Sequence, residues 1–263
     1  MKIGLVGFAG SGKTTVFNTM TGLDVPVGYG GDVRLGTVRV PDKRIDALTE
    51  IFLPKKRTYA EISFCDVPGE HGSHKKGLSP RGLQQIRDQE ALCLVLQDFN
   101  NPALEGAPDP LLDLESFHTE CIFADLEIIE KRLDRARKEQ ADAHEIATFE
   151  LAQANLEAER PLRLIPDADL DRSLIKGYGI LTDRPLLVVV NRDEEHASNP
   201  LTGTLDARIR EFGAAGLTLC ASIEADIAGM EPGDQKEFLA KYQEEKQKKE
   251  QHCYKPMRTL QNY

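Results

Sequence analysis

No stretch of the 263-residue sequence approaches the roughly 20 consecutive apolar residues of a membrane-spanning helix. The opening Met1-Lys2-Ile3 reaches Gly7 almost at once, so the first apolar run is too short for the core of a signal peptide and has no cleavage site. The five cysteines, Cys65, Cys93, Cys121, Cys220 and Cys253, are scattered, and no two stand in a C-x-x-C pair or at a zinc-ligand spacing. That pattern reads as free thiols in a reducing compartment. Positive charge is in deficit, with 33 Lys and Arg against 43 Asp and Glu and a net charge of -10 at pH 7. A general DNA or RNA coat is therefore excluded, because its affinity comes from many cations on one face, although a local basic patch stays allowed. No internal repeat is visible. These absences predict a soluble, cytoplasmic chain with no membrane partner.

With 40% hydrophobic and 29% charged residues, the chain can bury a substantial core as one domain or as one domain plus an appendage. Apolar, β-rich runs alternate with longer helical patterns, which predicts an α/β fold with a largely parallel sheet flanked by helices. Core strands are expected at Lys2–Val6, Tyr59–Cys65, Ala91–Gln97, Pro185–Val190 and Leu217–Cys220, with an edge strand at Leu35–Val40, where apolar and polar residues alternate.

Residues 111 to 160 contain no glycine or proline, and Ile122, Leu126, Ile129, Leu133 and Ala136 recur at steps of four and three, as in a coiled-coil seam. A second arm carries Ile146, Phe149, Gln153 and Leu156. The pattern predicts an inserted helical hairpin with arms of around 20 residues, roughly 30 Å long. One unbroken helix is the alternative, because Lys138 to Glu145 offers no obvious turn residue. The expected division is a nucleotide domain of residues 1–110 and 180–240, a hairpin of 111–179, and a tail of 241–263 that frays from a solvated helix.

The stretch Gly7-Phe8-Ala9-Gly10-Ser11-Gly12-Lys13-Thr14 lies between a strand-like run and a helix-like one. Glycines there permit a loop whose backbone N–H groups converge on an anion, and the following helix N-terminus adds partial positive charge. Gly7, Ala9, Gly10, Ser11, Gly12, Lys13, Thr14 and Thr15 are the expected phosphate contacts. Lys13 would reach the β and γ phosphates, and the Thr14 hydroxyl would ligate Mg²⁺. The metal calls for a second, acidic partner at a strand end, which Asp66 supplies, and Gly69 completes a D-x-x-G turn facing the γ-phosphate. Asn191 and Glu194 occupy the positions of a base-reading N-K-x-D element. Glu194 is one methylene longer than aspartate, which weakens guanine selection and admits adenine.

These residues resemble the Obg-like ATPase family (YchF-type), over Met1 to about Leu239. The resemblance is carried by "GKTTVFNTMTG", "VPDKRIDALTEIFLPKKRTYAEISFCDVPG", "DPLLDLESFHTECIFADLEIIEKRL", and "NRDE" followed by "ASIEADI". It implies a Ras-like nucleotide domain with a hairpin inserted before the N-x-x-E element, use of ATP or of both ATP and GTP, and association with ribosomes or with translation and stress pathways. Cys220-Ala221-Ser222 takes the place of the family's Ser-Ala-Lys loop, which adds Ala221 and Ser222 to the nucleotide contacts.

Four departures from the family pattern stand out. The family continues into a C-terminal TGS domain, whereas this sequence stops where that domain would begin. Its first switch carries a threonine, but the segment "VPVGYGGDVRLG" has no Thr or Ser before Thr37. Ala103 stands where the family has a hydrolysis-linked histidine, and an alanine can neither orient nor deprotonate water. Glu70 and His71 follow D-x-x-G in place of a hydrophobic residue, and either they or His74 could orient the water; exposed loop residues are the plainer reading.

Two functions fit. One is a weak Mg²⁺-dependent NTPase in which Lys13, Glu70 and His71 serve catalysis. The other is a nucleotide-responsive interaction module with little hydrolysis, whose hairpin meets a ribosomal or protein partner. The D-x-x-G and N-x-x-E elements argue against a small-molecule kinase.

Overall fold

A computed structural model describes residues 1–26, 33–67, 80–104, 106–197, 199–231, 233–235 and 237–239. Six strands form one sheet in the order β2-β3-β1-β4-β5-β6. They are β1 (Lys2–Val6), β2 (Arg34–Arg39), β3 (Glu61–Asp66), β4 (Ala91–Asp98), β5 (Leu186–Arg192) and β6 (Ala215–Leu219). Only β2 runs antiparallel, pairing with β3 at the edge of the sheet. The central strands are buried on both faces, so they read in the sequence as continuous apolar runs, and each falls within a few residues of its expected span. Leu92, Leu94, Val188 and Val190 pack on one face. Leu5, Phe64, Val95 and Val189 pack on the other, under Val16 and Phe17 of α1 (Lys13–Thr21). The architecture is the expected α/β fold of the Ras-like type.

Helix α2 (Lys43–Phe52) is started by Asp42, whose side chain accepts from the Arg44 N–H at 2.8 Å. It ends on Leu53, at φ 42, a left-handed conformation that costs a non-glycine residue roughly 1–2 kcal/mol. After α3 (Pro80–Arg87) and β4, the long α4 (Pro110–Lys138) begins with Asp109 capping Leu112 N–H at 3.0 Å and proline in its first turn.

Lys138 to Glu145 does contain a turn. Ala141 N–H donates to Ala136 O at 2.9 Å and Gln140 N–H to Arg137 O at 3.3 Å, which closes α4 in a Schellman motif with Gln140 at φ 54. Glutamine fills a position that usually signals itself as glycine, so the break was invisible in the residue types. The chain re-enters a helix as α5 (Ala143–Glu157) and packs back on α4. Ile122, Ile129 and Leu133 meet Phe149, Ala152 and Leu156. In the second arm Ala152 takes the buried place expected for Gln153, whose amide instead bonds Glu157 at 2.7 Å near the surface. The earlier part of α4 belongs to the sheet core through Leu114, Phe117 and Cys121, so one helix is shared by both cores.

An ion pair joins these cores. Arg87, at the end of α3, donates to Asp125 Oδ1 of α4 at 2.9 Å, to Gly179 O at 2.8 Å and to Ala124 O at 3.0 Å. Asp125 is fully buried and also accepts from Leu181 N–H at 3.1 Å and Thr182 N–H at 2.7 Å. The chain continues through α6 (Arg172–Ile175), then β5, α7 (Gly203–Glu211), β6 and α8 (Ala221–Gly229). Among the described residues no helix is long and apolar enough to cross a membrane.

Candidate nucleotide site

The C-terminal ends of β1, β3 and β5 lie along one edge of the sheet, where open α/β sheets place their ligands. At the end of β1 the chain turns through Gly7, at φ 146, and a Cβ there would lie 2.4 Å from Val95 O. Any side chain would push the loop off β4. Gly12, at φ 89, caps α1, and a Cβ there would meet Asn191 Nδ2 at 2.3 Å. Gly12→Ala is expected to destabilise the protein by about 2 kcal/mol through this clash and the positive φ. Urea denaturation reads the change, and a loss below about 0.5 kcal/mol would show that the loop relaxes freely.

No side chain caps α1, and its first turn holds no acid, so its N-terminal dipole is left for an anionic ligand. Lys13 opens this helix yet is buried, with Nζ 3.4 Å from Phe8 O. Burial lowers its ammonium from the ordinary 10.5 to about 8, while the nearby Asp66 carboxylate pulls the other way. Ser11 is buried too, and among the described residues its hydroxyl has no hydrogen-bond partner. Ala9 and Thr15 are half-buried on either side of the loop.

Asp66 ends β3 and is buried. Its Oδ2 accepts from the Thr14 hydroxyl at 3.1 Å, and Arg34 Nη1 stands 3.7 Å away. Its Oδ1 is buried with no partner among the described residues. A carboxylate oxygen left bare beside a hydroxyl is a donor set that suits Mg²⁺, which takes few protein ligands and completes its shell with phosphate and water oxygens. Among the described residues there is no group of three or more His, Cys, Asp or Glu that could hold a metal. Arg34 is a component that the sequence reading missed; the antiparallel register that sets it opposite Asp66 is a long-range pairing with no local signature.

Asn191 is held at the end of β5 with both ends of its amide engaged. Nδ2 donates to Ser11 O at 3.0 Å, and Oδ1 accepts from Ala221 N–H at 2.9 Å. It therefore ties the phosphate loop to the start of α8, a structural role beyond the base reading expected of it. Glu194 lies exposed in the turn after β5. Ser222 is exposed, with its hydroxyl 3.1 Å from Cys220 Sγ, and Ala221 is buried.

A second tie was also unforeseen: Asn101 donates to Gly10 O at 3.3 Å and accepts from Ala103 N–H at 3.1 Å. Ala103 is exposed on that loop and offers no proton-handling group. Thr37 does not stand in for the missing switch threonine, because its hydroxyl is within 3.1 Å of Ser63 Oγ across the β2–β3 pair. Gly69, Glu70, His71 and His74 lie outside the described residues, as does the switch segment 27–32.

A glycine loop on a parallel sheet, a lysine buried beneath it, and a threonine–aspartate pair at its mouth define a Ras-like P-loop NTPase fold. Residues 2–192 match the family described as 50S ribosome-binding GTPase. The ribosome-binding ATPase YchF of Bacillus subtilis is 33% identical over 254 residues, covering 90% of this chain and 69% of that protein. Its counterpart in Haemophilus influenzae is 30% identical over 257 residues, covering 90% and 70%. The structure of the Schizosaccharomyces pombe YchF GTPase superposes with a TM-score of 0.75 at 26% identity, over 92% of this chain and 71% of that one. The chain belongs to the YchF family.

Proposed function

We propose that this protein binds a purine nucleoside triphosphate, ATP or GTP, together with Mg²⁺, and hydrolyses it slowly to the diphosphate and phosphate as a cytoplasmic, ribosome-associated switch. The observation that carries the reading is the bare Oδ1 of Asp66 beside the Thr14 hydroxyl, at the mouth of a loop with Lys13 buried in it. The ribosome enters through the names of the relatives, and the paired helices α4 and α5 offer such a partner a rigid surface.

In the reaction, water attacks the γ-phosphorus as its bond to the β–γ bridging oxygen breaks, and negative charge gathers on that oxygen. Lys13 and the loop N–H groups neutralise this charge, and the uncapped α1 N-terminus adds to them. Thr14 and Asp66 would hold Mg²⁺, which supplies further charge neutralisation when bound. Glu70 and His71 are the candidates for orienting the water. Ala103 withholds that help, so turnover on the order of 10⁻³ s⁻¹ or slower is expected. Glu194 gives up strict guanine selection, and ATP and GTP should bind within about tenfold of each other.

The test is a titration of nucleotide-free protein with non-hydrolysable ATP and GTP analogues and with ADP, each with and without Mg²⁺, followed by single-turnover hydrolysis. Mg²⁺-dependent preference for triphosphate with slow turnover supports the proposal. Ala103 favours a second reading, a nucleotide-holding interaction module. Tight binding of both phosphate states with no turnover would select it.

A further inference from the structure

Helix α2 buries none of its ten residues. Leu48, Ile51 and Phe52 are 53%, 71% and 74% exposed, and their i, i+3, i+4 spacing puts them on one stripe. Leu53, the first residue past the helix, is 82% exposed. Glycine or asparagine ordinarily takes its left-handed position. Leucine there strains the backbone and also leaves an apolar side chain in water. Both choices are unfavourable for folding alone, and a use for the side chain outside the fold accounts for them together.

The surroundings say what chemistry would cover this stripe. Residues 54–58 are all exposed, and Lys55 and Lys56, with Lys43 at the other end of the helix, have no ion-pair partner among the described residues. Between residues 42 and 58 the acids are Asp42 and Asp46, paired with Arg44 and Arg57, and the exposed Glu50, so Lys43, Lys55 and Lys56 leave the segment net positive on a chain of net charge -10. RNA would use the lysines but gain little from Leu48, Ile51 and Leu53, since its recognition rests on phosphate contacts and on stacking against flat side chains. A polypeptide with apolar residues flanked by carboxylates uses both parts.

We propose that the C-terminal end of α2 docks an acidic, apolar protein segment carried by the large ribosomal subunit; the subunit as its source rests on the ribosome reading above. Leu53 is the anchor, and Lys55 and Lys56 set the charge preference. The site lies on a different helix from the paired α4 and α5.

The experiment uses the full chain saturated with the non-hydrolysable triphosphate, purified Bacillus subtilis 50S subunits, and protein-free large-subunit RNA. Leu53→Gly should raise the thermal midpoint by about 2 °C, because the strain is relieved, yet weaken 50S binding about tenfold with nucleotide affinity unchanged. A benzoylphenylalanine in place of Phe52 should photo-cross-link to a 50S protein, in an adduct that survives ribonuclease. Unchanged 50S affinity in Leu53→Gly, an adduct with RNA, or an adduct with a second copy of this chain would each overturn the proposal. If the unaltered protein fails to bind 50S subunits, the ribosome reading falls as well, and this outcome is distinct from normal binding that the substitution leaves untouched.

Discussion

Lys13→Met is expected to weaken triphosphate binding by about 100-fold or more and, in the nucleotide-free protein, to raise thermal stability. The two effects have one cause. The phosphate loop is closed around an ammonium that burial lowers from 10.5 to about 8, so the empty protein holds a charge it has only partly paired. The sign follows from proton linkage: below about pH 8 the lysine is charged in both folded and unfolded states, and the folded state bears the full desolvation cost. As pH rises from about 8 towards 10.5 the folded protein releases the proton first, and that cost is relieved. The gap between the two values corresponds to roughly 3 kcal/mol, which methionine removes while keeping the side chain's length and packing. A midpoint higher by about 5 °C is the expected readout in calorimetry near pH 7.

Ligand affinity runs the other way with pH. Phosphate binds the charged lysine, so affinity should fall as the pH is raised above about 8 in the unaltered protein and stay flat in Lys13→Met. A variant that melts lower than the parent, or that keeps its pH dependence, would show that Lys13 is not the group held under strain.

The degree to which this site was legible in the sequence tracks how local each interaction is. The strand–loop–helix form of Gly7 to Thr14 was legible, since its glycine turns lie within one short stretch of chain. The core strands were legible because burial on both faces leaves continuous runs such as Leu186 to Val190. Asn191 was singled out by its spacing as a base reader, but the bridge it makes from Ser11 to Ala221 spans 180 residues to one side and 30 to the other, and no local pattern encodes it. Arg34 beside Asp66 and Asn101 beneath Gly10 were missed for the same reason. The hairpin of α4 and α5 was expected from its spacing, but the place of its turn was not marked: Gln140 adopts a backbone conformation whose usual marker is glycine, so the residue type gave no sign.

Asp125→Leu should destabilise the protein by about 3–5 kcal/mol, because it leaves Arg87 charged in a site where Arg87 is only 11% exposed. The Leu181 and Thr182 N–H groups lose their acceptor in the same step. Burial pushes the Asp125 carboxyl above its ordinary range, against the pull of those two N–H donors and of Arg87, so the ionised form is held at a net cost. A neutral acceptor should consequently be tolerated better, and Asp125→Asn is expected to lose about half as much as Asp125→Leu. Pairing Asp125→Leu with Arg87→Met removes both charges and should recover part of the loss, but not the share owed to the two orphaned N–H groups.

The location gives this stability effect a functional side. Arg87 closes the helix that follows the Asp66 to Gly69 segment, whereas Asp125 sits where α4 passes from the sheet core to the hairpin core. If the pair holds these bodies in register, hydrogen exchange in Asp125→Asn should rise selectively in α5 and in the half of α4 beyond Asp125, with the β1 and β4 amides unaffected. Uniform acceleration across the sheet would mean that the pair supports the whole fold equally and carries no special link between the nucleotide end and the hairpin.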